Sequence, residues 1–438
     1  MKPTMTSRER VWKAINFEPP DRVPIDLGGT KVSGIHVEAY LELGRQLGLD
    51  VELPRVYDQF QMLARVEEPV RRRLQADVVQ VENLVETWGL ANRDWKVFKT
   101  GRGSNVLMLG GFNPVTDERG FLVLRDAGGK ALAHMAPGGL YFDRITSTAM
   151  SDNIVLMDPE KWRKSLPLYS DEELAVLQKR ARFLRDYTDY SVHGGFNKFK
   201  TQSSGLIAGH TFTDWLCLLM TEKDYVHSIL HATAERNIEN LKLYFQAVGD
   251  CIDTVLISTT DYGSQKGELI SPQTFKELYL PHIKQVNDFV HSQGRFKTMH
   301  HTCGSVRNLI EYFIQAGVDI LNPLQVNTAN MDPRELKQQF GGRIVFWGGG
   351  VDTQTTYQFG TPEEVRRQVR ERLDIFAAGG GYVFSPSHNT QYGVPAANML
   401  AMADEVVEHG RYRKPPAAPG GRQSGSGAPP APASNGAR

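Results

Sequence analysis

From about Ser170 onward the chain repeats one unit, a short apolar run followed by a longer amphipathic stretch, and this repetition restricts the fold more than any other feature of the sequence. The apolar runs predict strands at Tyr190 to Val192, Thr254 to Ser258, Phe296 to Met299, Val318 to Leu321, Ile344 to Trp347 and Tyr382 to Phe384. The intervening stretches predict helices over the Thr213 to Ala247 region, Pro272 to Gln293, Ser305 to Ala316, Pro333 to Phe340, Pro362 to Ala378 and Pro395 to His409. Proline near several of these starts suits the first turn of a helix, where its missing N–H costs nothing. Two earlier runs, Arg22 to Leu27 and Ala76 to Val81, bring the predicted strands to eight. Eight strands joined by helical crossovers predict a parallel (β/α)8 barrel.

The rest of the chain departs from that repeat. Thr6 to Phe17 reads as a first helix with Thr6 or Ser7 as N-cap, and Pro19 and Pro20 end it. Helices are expected near His36 to Leu47 and Gln59 to Leu74. Between Lys96 and Phe142, short alternating runs such as FLVLRD and KALAHM are separated by DERG and DAGGK, the pattern of antiparallel hairpins. This stretch is expected to be an inserted β meander, a lid or dimer flap, within one barrel spanning 1–414. The segment 415–438 is rich in Pro, Gly, Ala and Ser, cannot bury a core, and is expected to be disordered. Lys plus Arg (50) equals Asp plus Glu (50), which gives no polyanion-binding balance and argues against nucleic acid. The three cysteines, Cys217, Cys251 and Cys303, do not make a disulfide framework. With no apolar signal core and no long apolar run, a soluble cytoplasmic protein is expected.

A barrel of this kind carries its chemistry at the C-terminal ends of its strands. The residues found there are Asp26; His193; Asp261 and Tyr262; His300, His301 and Cys303; Asn322 and Gln325; Asp352; and His388 with Asn389. A structural loop needs turn formers, not repeated His, Cys and Asp. His301-Thr302-Cys303 is the sharpest signal, because an imidazole and a thiolate two residues apart at a strand mouth form half of a zinc site. Its structural alternative is a buried thiol beside a capping histidine. Cys217, in WLCLLM, and Cys251 read as core.

The phrases TTDYGSQKGELISPQTF, HHTCGSVRNLIEYFIQAGVDILNPLQ, MDPRELKQQFGGRIVFWGGGVDTQ and GGGYVFSPSHNTQYGVPAANML closely resemble the uroporphyrinogen decarboxylase superfamily. The resemblance is specific over the last 200 or so residues and loose before them. It implies a (β/α)8 barrel and one of two chemistries. The decarboxylase branch is metal-free and carries an Arg-rich N-terminal motif, in whose place this chain has DLGGTKVSG. The other branch comprises zinc methyltransferases acting with methylated corrinoid proteins, and its His-x-Cys motif matches His301 and Cys303. The final cysteine of that branch aligns with His388, so the resemblance implies His301, Cys303 and His388 as zinc ligands, with Asp261 as a candidate fourth. A methylcorrinoid carried on a partner protein would be the other reactant. Asp261 and Asp352 are the expected catalytic carboxylates. Asp26, His193, Tyr262, His300, Asn322 and Gln325 are expected to bind substrate. On the decarboxylase alternative, Asp26 or Asp261 would hold pyrrole N–H groups while Arg22 and Lys31 meet propionates. A non-catalytic accessory barrel is the third reading, and a homodimer is compatible with all three.

Overall fold

The computed structural model describes residues 5–49, 51, 53–145, 149–198 and 207–412. The expected disordered segment 415–438 lies outside the described residues. At the centre is a parallel seven-stranded sheet in the order Tyr382–Val383, Val345–Trp347, Ile320–Asn322, Lys297–His301, Thr254–Ser258, Ser191–Gly194 and Val78–Gln80. The predicted first strand, Arg22 to Leu27, forms no ladder of its own, yet its backbone links the two edges of that sheet. The Asp26 N–H donates to Phe384 O (2.8 Å), the Phe384 N–H to Pro24 O (2.9 Å) and the Asp77 N–H to Ile25 O (2.7 Å). The sheet therefore curls into a ring, as expected of a barrel-like α/β fold.

Side-chain alternation explains what fills the ring. Val78, Leu256, Met299, Ile320, Val345, Trp347 and Val383 form one buried cluster with Val11, Ala14 and Ile15 of the Ser7–Ile15 helix, which plugs one end. Burial of each aliphatic side chain is worth about 1.5–3 kcal/mol. Thr6 caps that helix in a reciprocal capping box with Glu9. The opposite residues of the strands, such as Val192, Val255 and Leu321, pack outward against the helices.

Several boundaries differ from expectation. The stretch expected to be one helix from Gln59 to Leu74 is helical only over Glu68–Arg73, where Pro69 occupies the first turn. Upstream, Leu63–Ala64 is extended and pairs antiparallel with Ile35–His36 and with Val56–Asp58, because cross-strand burial of Leu63 and Ala64 overrides their helical spacing. The Thr213 to Ala247 region is two helices, Phe212–Thr221 and Lys223–Val248, broken at Glu222. Two helices not anticipated, Pro159–Ser165 and Asp171–Tyr187, precede the Ser191–Gly194 strand. Before both helices, Lys96–Lys99 and Asn105–Met108 form a hairpin, and Val115–Thr116, Leu122–Arg125, Ala131–Met135 and Asp143–Arg144 form an antiparallel sheet paired in chain order. No helix among the described residues is long and apolar enough to cross a membrane.

Candidate metal centre

Met299 faces the ring interior, so a period of two places His301 on the same side at the mouth and His300 on the other. The sheet register sets His301 opposite Asn322. Their side chains meet, with His301 Nδ1 and Asn322 Oδ1 2.7 Å apart. Asn322 Nδ2 donates to Trp347 O (2.9 Å), which fixes the amide orientation and leaves Oδ1 as the acceptor. His301 therefore carries its proton on Nδ1 and presents a bare Nε2, 3.4 Å from Cys303 Sγ.

Asp261 arrives from the next mouth loop, which is tied to the Thr302–Ser305 turn by three hydrogen bonds. The Cys303 N–H donates to Asp261 Oδ1 (2.8 Å), the Tyr262 N–H to Thr302 Oγ1 (2.9 Å) and the Ser305 N–H to Ser264 O (2.8 Å). Ligand atoms of Asp261, His301 and Cys303 all lie within 4.8 Å of one another. Burial, with the Asp261 charge second, pushes the Cys303 thiol above its usual pKa. Gln325 holds the turn from behind, its Oε1 accepting the Gly304 N–H. Gly304 has φ +85°, and a Cβ there would sit 2.3 Å from Gly263 C. Only glycine allows the two loops this close approach.

His388 stands beside this set and not within it. Burial lowers its pKa, with a further contribution from His301 and an opposing one from Asp261, so it lies in the electrostatic field of both. Its Nδ1 contacts Gln391 Nε2 at 3.3 Å. Asp261, expected as a catalytic carboxylate and as a possible fourth ligand, is thus the residue that completes the compact trio.

The other expected residues are dispersed. Asp26 is fully buried and accepts from Ser33 Oγ (2.6 Å), Thr30 Oγ1 (3.0 Å) and Trp347 Nε1 (2.9 Å). Its pKa is raised by burial, against the pull of those donors. His193 is buried on the Ser191–Gly194 strand, with Nδ1 2.7 Å from Thr254 Oγ1 and no partner at Nε2 among the described residues; burial holds its pKa at about 3. Tyr262 is buried among Phe275, Tyr279 and Phe313. Asp352 accepts from the Gln354 N–H (2.8 Å), Thr355 Oγ1 (2.7 Å) and Asn327 Nδ2 (3.0 Å), the pattern of a loop anchor. His300 turns outward toward Phe313, with ring centroids 6.1 Å apart, and lines a separate cavity with Tyr279 and His282. Sequence reasoning missed the Lys31–Glu86 ion pair (2.5 Å), whose carboxylate is buried. Its two members are 55 positions apart, and nothing local marks the pairing.

A family model described as uroporphyrinogen decarboxylase matches residues 152–409, which include every member of the metal-competent set. Curated relatives are similar at low identity. The uroporphyrinogen decarboxylase of Psychromonas ingrahamii is 23% identical over 295 residues, covering 66% of this chain and 76% of its own. That of Ralstonia nicotianae is 26% identical over 216 residues, 49% of this chain and 52% of its own. Among solved structures, a methyltransferase from Methanosarcina mazei superposes with a TM-score of 0.57 at 14% identity, covering 92% of this chain and 99% of that one. That likeness supports the fold alone. The family model spans more than half of the 438 residues, and the chain belongs to the uroporphyrinogen decarboxylase family.

Proposed function

We propose that the chain is a zinc-dependent methyltransferase that moves a methyl group between a corrinoid held on a separate protein and a thiol, ether or amine. The observation that carries this reading is the convergence of Asp261, His301 and Cys303 at the ring mouth, with their ligand atoms within 4.8 Å of one another. Two ligands on one tetrahedral zinc, at about 2.0–2.1 Å for nitrogen and 2.3 Å for sulfur, stand about 3.5 Å apart. The 3.4 Å between His301 Nε2 and Cys303 Sγ fits that edge. Three protein ligands of mixed N, S and O type suit a catalytic site with an open position. Asp261, His301 and Cys303 would hold the ion, with His388 in the electrostatic field of the site and outside the compact ligand set. Zinc bound there would supply Lewis acidity toward the heteroatom that gives or takes the methyl group.

The chain's own residues prepare that position. Asn322 keeps the His301 proton on Nδ1 and the Nε2 lone pair toward the site. Asp261 fixes the Cys303 backbone, and Gln325 the following glycine, so the thiol does not drift. Asp352 accepts from the Gln354 N–H and Thr355 Oγ1 and so positions its own loop at the mouth.

Decarboxylation of uroporphyrinogen is the second reading, favoured by the family and by the names of the bacterial relatives. The cations it would use are committed elsewhere. Arg22 Nη1 binds Asp77 Oδ2 (2.7 Å) and Lys31 Nζ binds Glu86 Oε2 (2.5 Å), while the carboxylate Asp26, the other group that reading would use, is fully buried and accepts from Trp347 Nε1. Several propionates require several available cations.

The test is to measure tightly held zinc and methyl transfer in the wild type and in Asp261→Ala, His301→Ala, Cys303→Ser and His388→Ala proteins. One tight equivalent, lost with His301 or Cys303 and accompanied by methyl transfer from methylcorrinoid to a member of a thiol panel, or from a methyl ether or amine to the corrinoid, is expected. Uroporphyrinogen decarboxylation that persists in Cys303→Ser, with no methyl transfer in either direction, would replace this reading by the second.

A further inference from the structure

Away from the ring mouth, three histidines converge where the Lys223–Val248 helix packs on the Leu280–Ser292 helix. His227 and His231 stand four positions apart, so they project from one face on successive turns. His282 comes from the other helix, and its Nε2 lies 3.1 Å from His227 Nδ1. The ring centroids are 5.3 Å apart for His227 and His282 and 6.0 Å apart for His231 and His282. Two imidazole nitrogens on one tetrahedral zinc, each about 2.0–2.1 Å from it, are about 3.3 Å apart. His227 and His282 already hold that spacing. His231 is half-exposed with its Nε2 3.5 Å from Glu235 Oε1, and it would have to turn from that carboxylate to join the pair.

We propose that His227, His231 and His282 form a second site, for a late first-row divalent cation such as Zn2+, Ni2+ or Cu2+, that ties these two helices together independently of the mouth residues. Imidazole ligands with few competing carboxylates favour those ions over Mg2+ and Ca2+. The inner side of His282 borders a cavity of about 90 Å³ shared with Tyr279, Asn237 and His300. Asn237 Oδ1 is buried without a hydrogen-bond partner among the described residues. The site thus has a solvent-facing side at His231 and an inner side along a largely apolar cavity.

The full chain carrying His301→Ala and Cys303→Ser together, which removes the nitrogen and sulfur ligands of the mouth, is stripped with chelator and titrated with Zn2+ and with Cu2+. The expected result is about one equivalent still bound, with affinity falling at least tenfold on adding His227→Ala or His282→Ala. His282→Phe keeps the ring volume and serves if the alanine variant does not fold. Loading with Co2+ gives a second readout. A histidine-only site shows ligand-field bands without the thiolate charge-transfer band that Cys303 would produce. No binding by the double variant at micromolar metal, or binding indifferent to His227 and His282, would overturn the proposal.

Discussion

Asn322 decides which nitrogen of His301 is available, and this is the residue-scale feature on which a metal at the mouth depends. Its amide is locked by Trp347 O, so its oxygen holds the Nδ1 proton. Orienting partners of this kind are worth about 10–100-fold in metal affinity. Asn322→Leu is therefore expected to weaken zinc binding by that factor in a chelator competition, whereas Asn322→Asp, which still accepts from Nδ1, retains it. His301 and Cys303 were legible in the sequence because their types and spacing are local. Asn322 was legible only as a polar strand end, since its role comes from the register between two strands. His300, expected among the substrate-binding residues, takes the outer face, as alternation from the interior Met299 requires. His193 shows the opposite kind of constraint, a buried neutral imidazole whose pKa is held at about 3 by desolvation. The unfolded chain takes up a proton there below about pH 6.5 and the native chain does not until about pH 3, so unfolding becomes easier as pH falls through that window. The stability this group contributes is fully present above about pH 6.5 and is lost below it at up to about 1.4 kcal/mol per pH unit. Urea midpoints between pH 7 and 5 should fall less steeply in His193→Asn, which keeps a polar group toward Thr254, than in the wild type. Equal slopes would show that His193 is protonated or solvated in the native state.

At the scale of elements, the mouth is made by two loops pressed together, and glycine permits the contact. A Cβ on Gly304 would meet Gly263 C at 2.3 Å and Ser264 N at 2.6 Å, both backbone atoms that cannot swing aside. Added to a left-handed φ, this clash is expected to make Gly304→Ala less stable by about 2 kcal/mol or more and to part Asp261 from Cys303. Denaturant unfolding and zinc stoichiometry should change together; a loss of stability with full zinc retention would separate the loop contact from the site. Long, strongly patterned elements were read well from sequence. Thr254–Ser258 and Pro333–Phe340 coincide with expectation, and the other parallel strands shift by a residue or two. The failures share a physical cause, which is that tertiary pairing settled what local spacing left ambiguous. Leu63–Ala64 is extended because Ile35–His36 and Val56–Asp58 flank it. Phe275–Tyr279, inside the predicted Pro272 to Gln293 helix, widens to a π turn where Tyr279 Oη accepts from Trp215 Nε1 (2.8 Å).

Across the whole molecule, the ring has a mouth that carries the candidate metal centre and an opposite, holding end, and one carboxylate organises the latter. Asp77 immediately precedes the Val78–Gln80 strand and is fully buried. Its oxygens accept from Arg10 Nη1 (2.6 Å), Arg22 Nη1 (2.7 Å), Ser7 Oγ (2.7 Å) and the Ile25 N–H (2.8 Å). Those four donors belong to the plug helix and to the segment that links the sheet edges, so Asp77 fastens both to the strand they close against. Removing it would leave two buried guanidinium groups with less opposing charge; among the described residues Arg10 would keep Asp21 alone as an acidic partner. Breaking a buried pair in this way costs about 3–5 kcal/mol. Asp77→Ala is therefore expected to lower the denaturant midpoint by an amount corresponding to that loss while the folded fraction still binds zinc at Asp261, His301 and Cys303. Conserved roles at the two ends of a barrel separate in this way, stability at the N-terminal ends of the strands and chemistry at the C-terminal ends. If Asp77→Ala removed metal affinity from protein that remained fully folded, the two ends would be coupled through the ring interior, and the Met299 to Trp347 layer between them would be the place to seek that coupling.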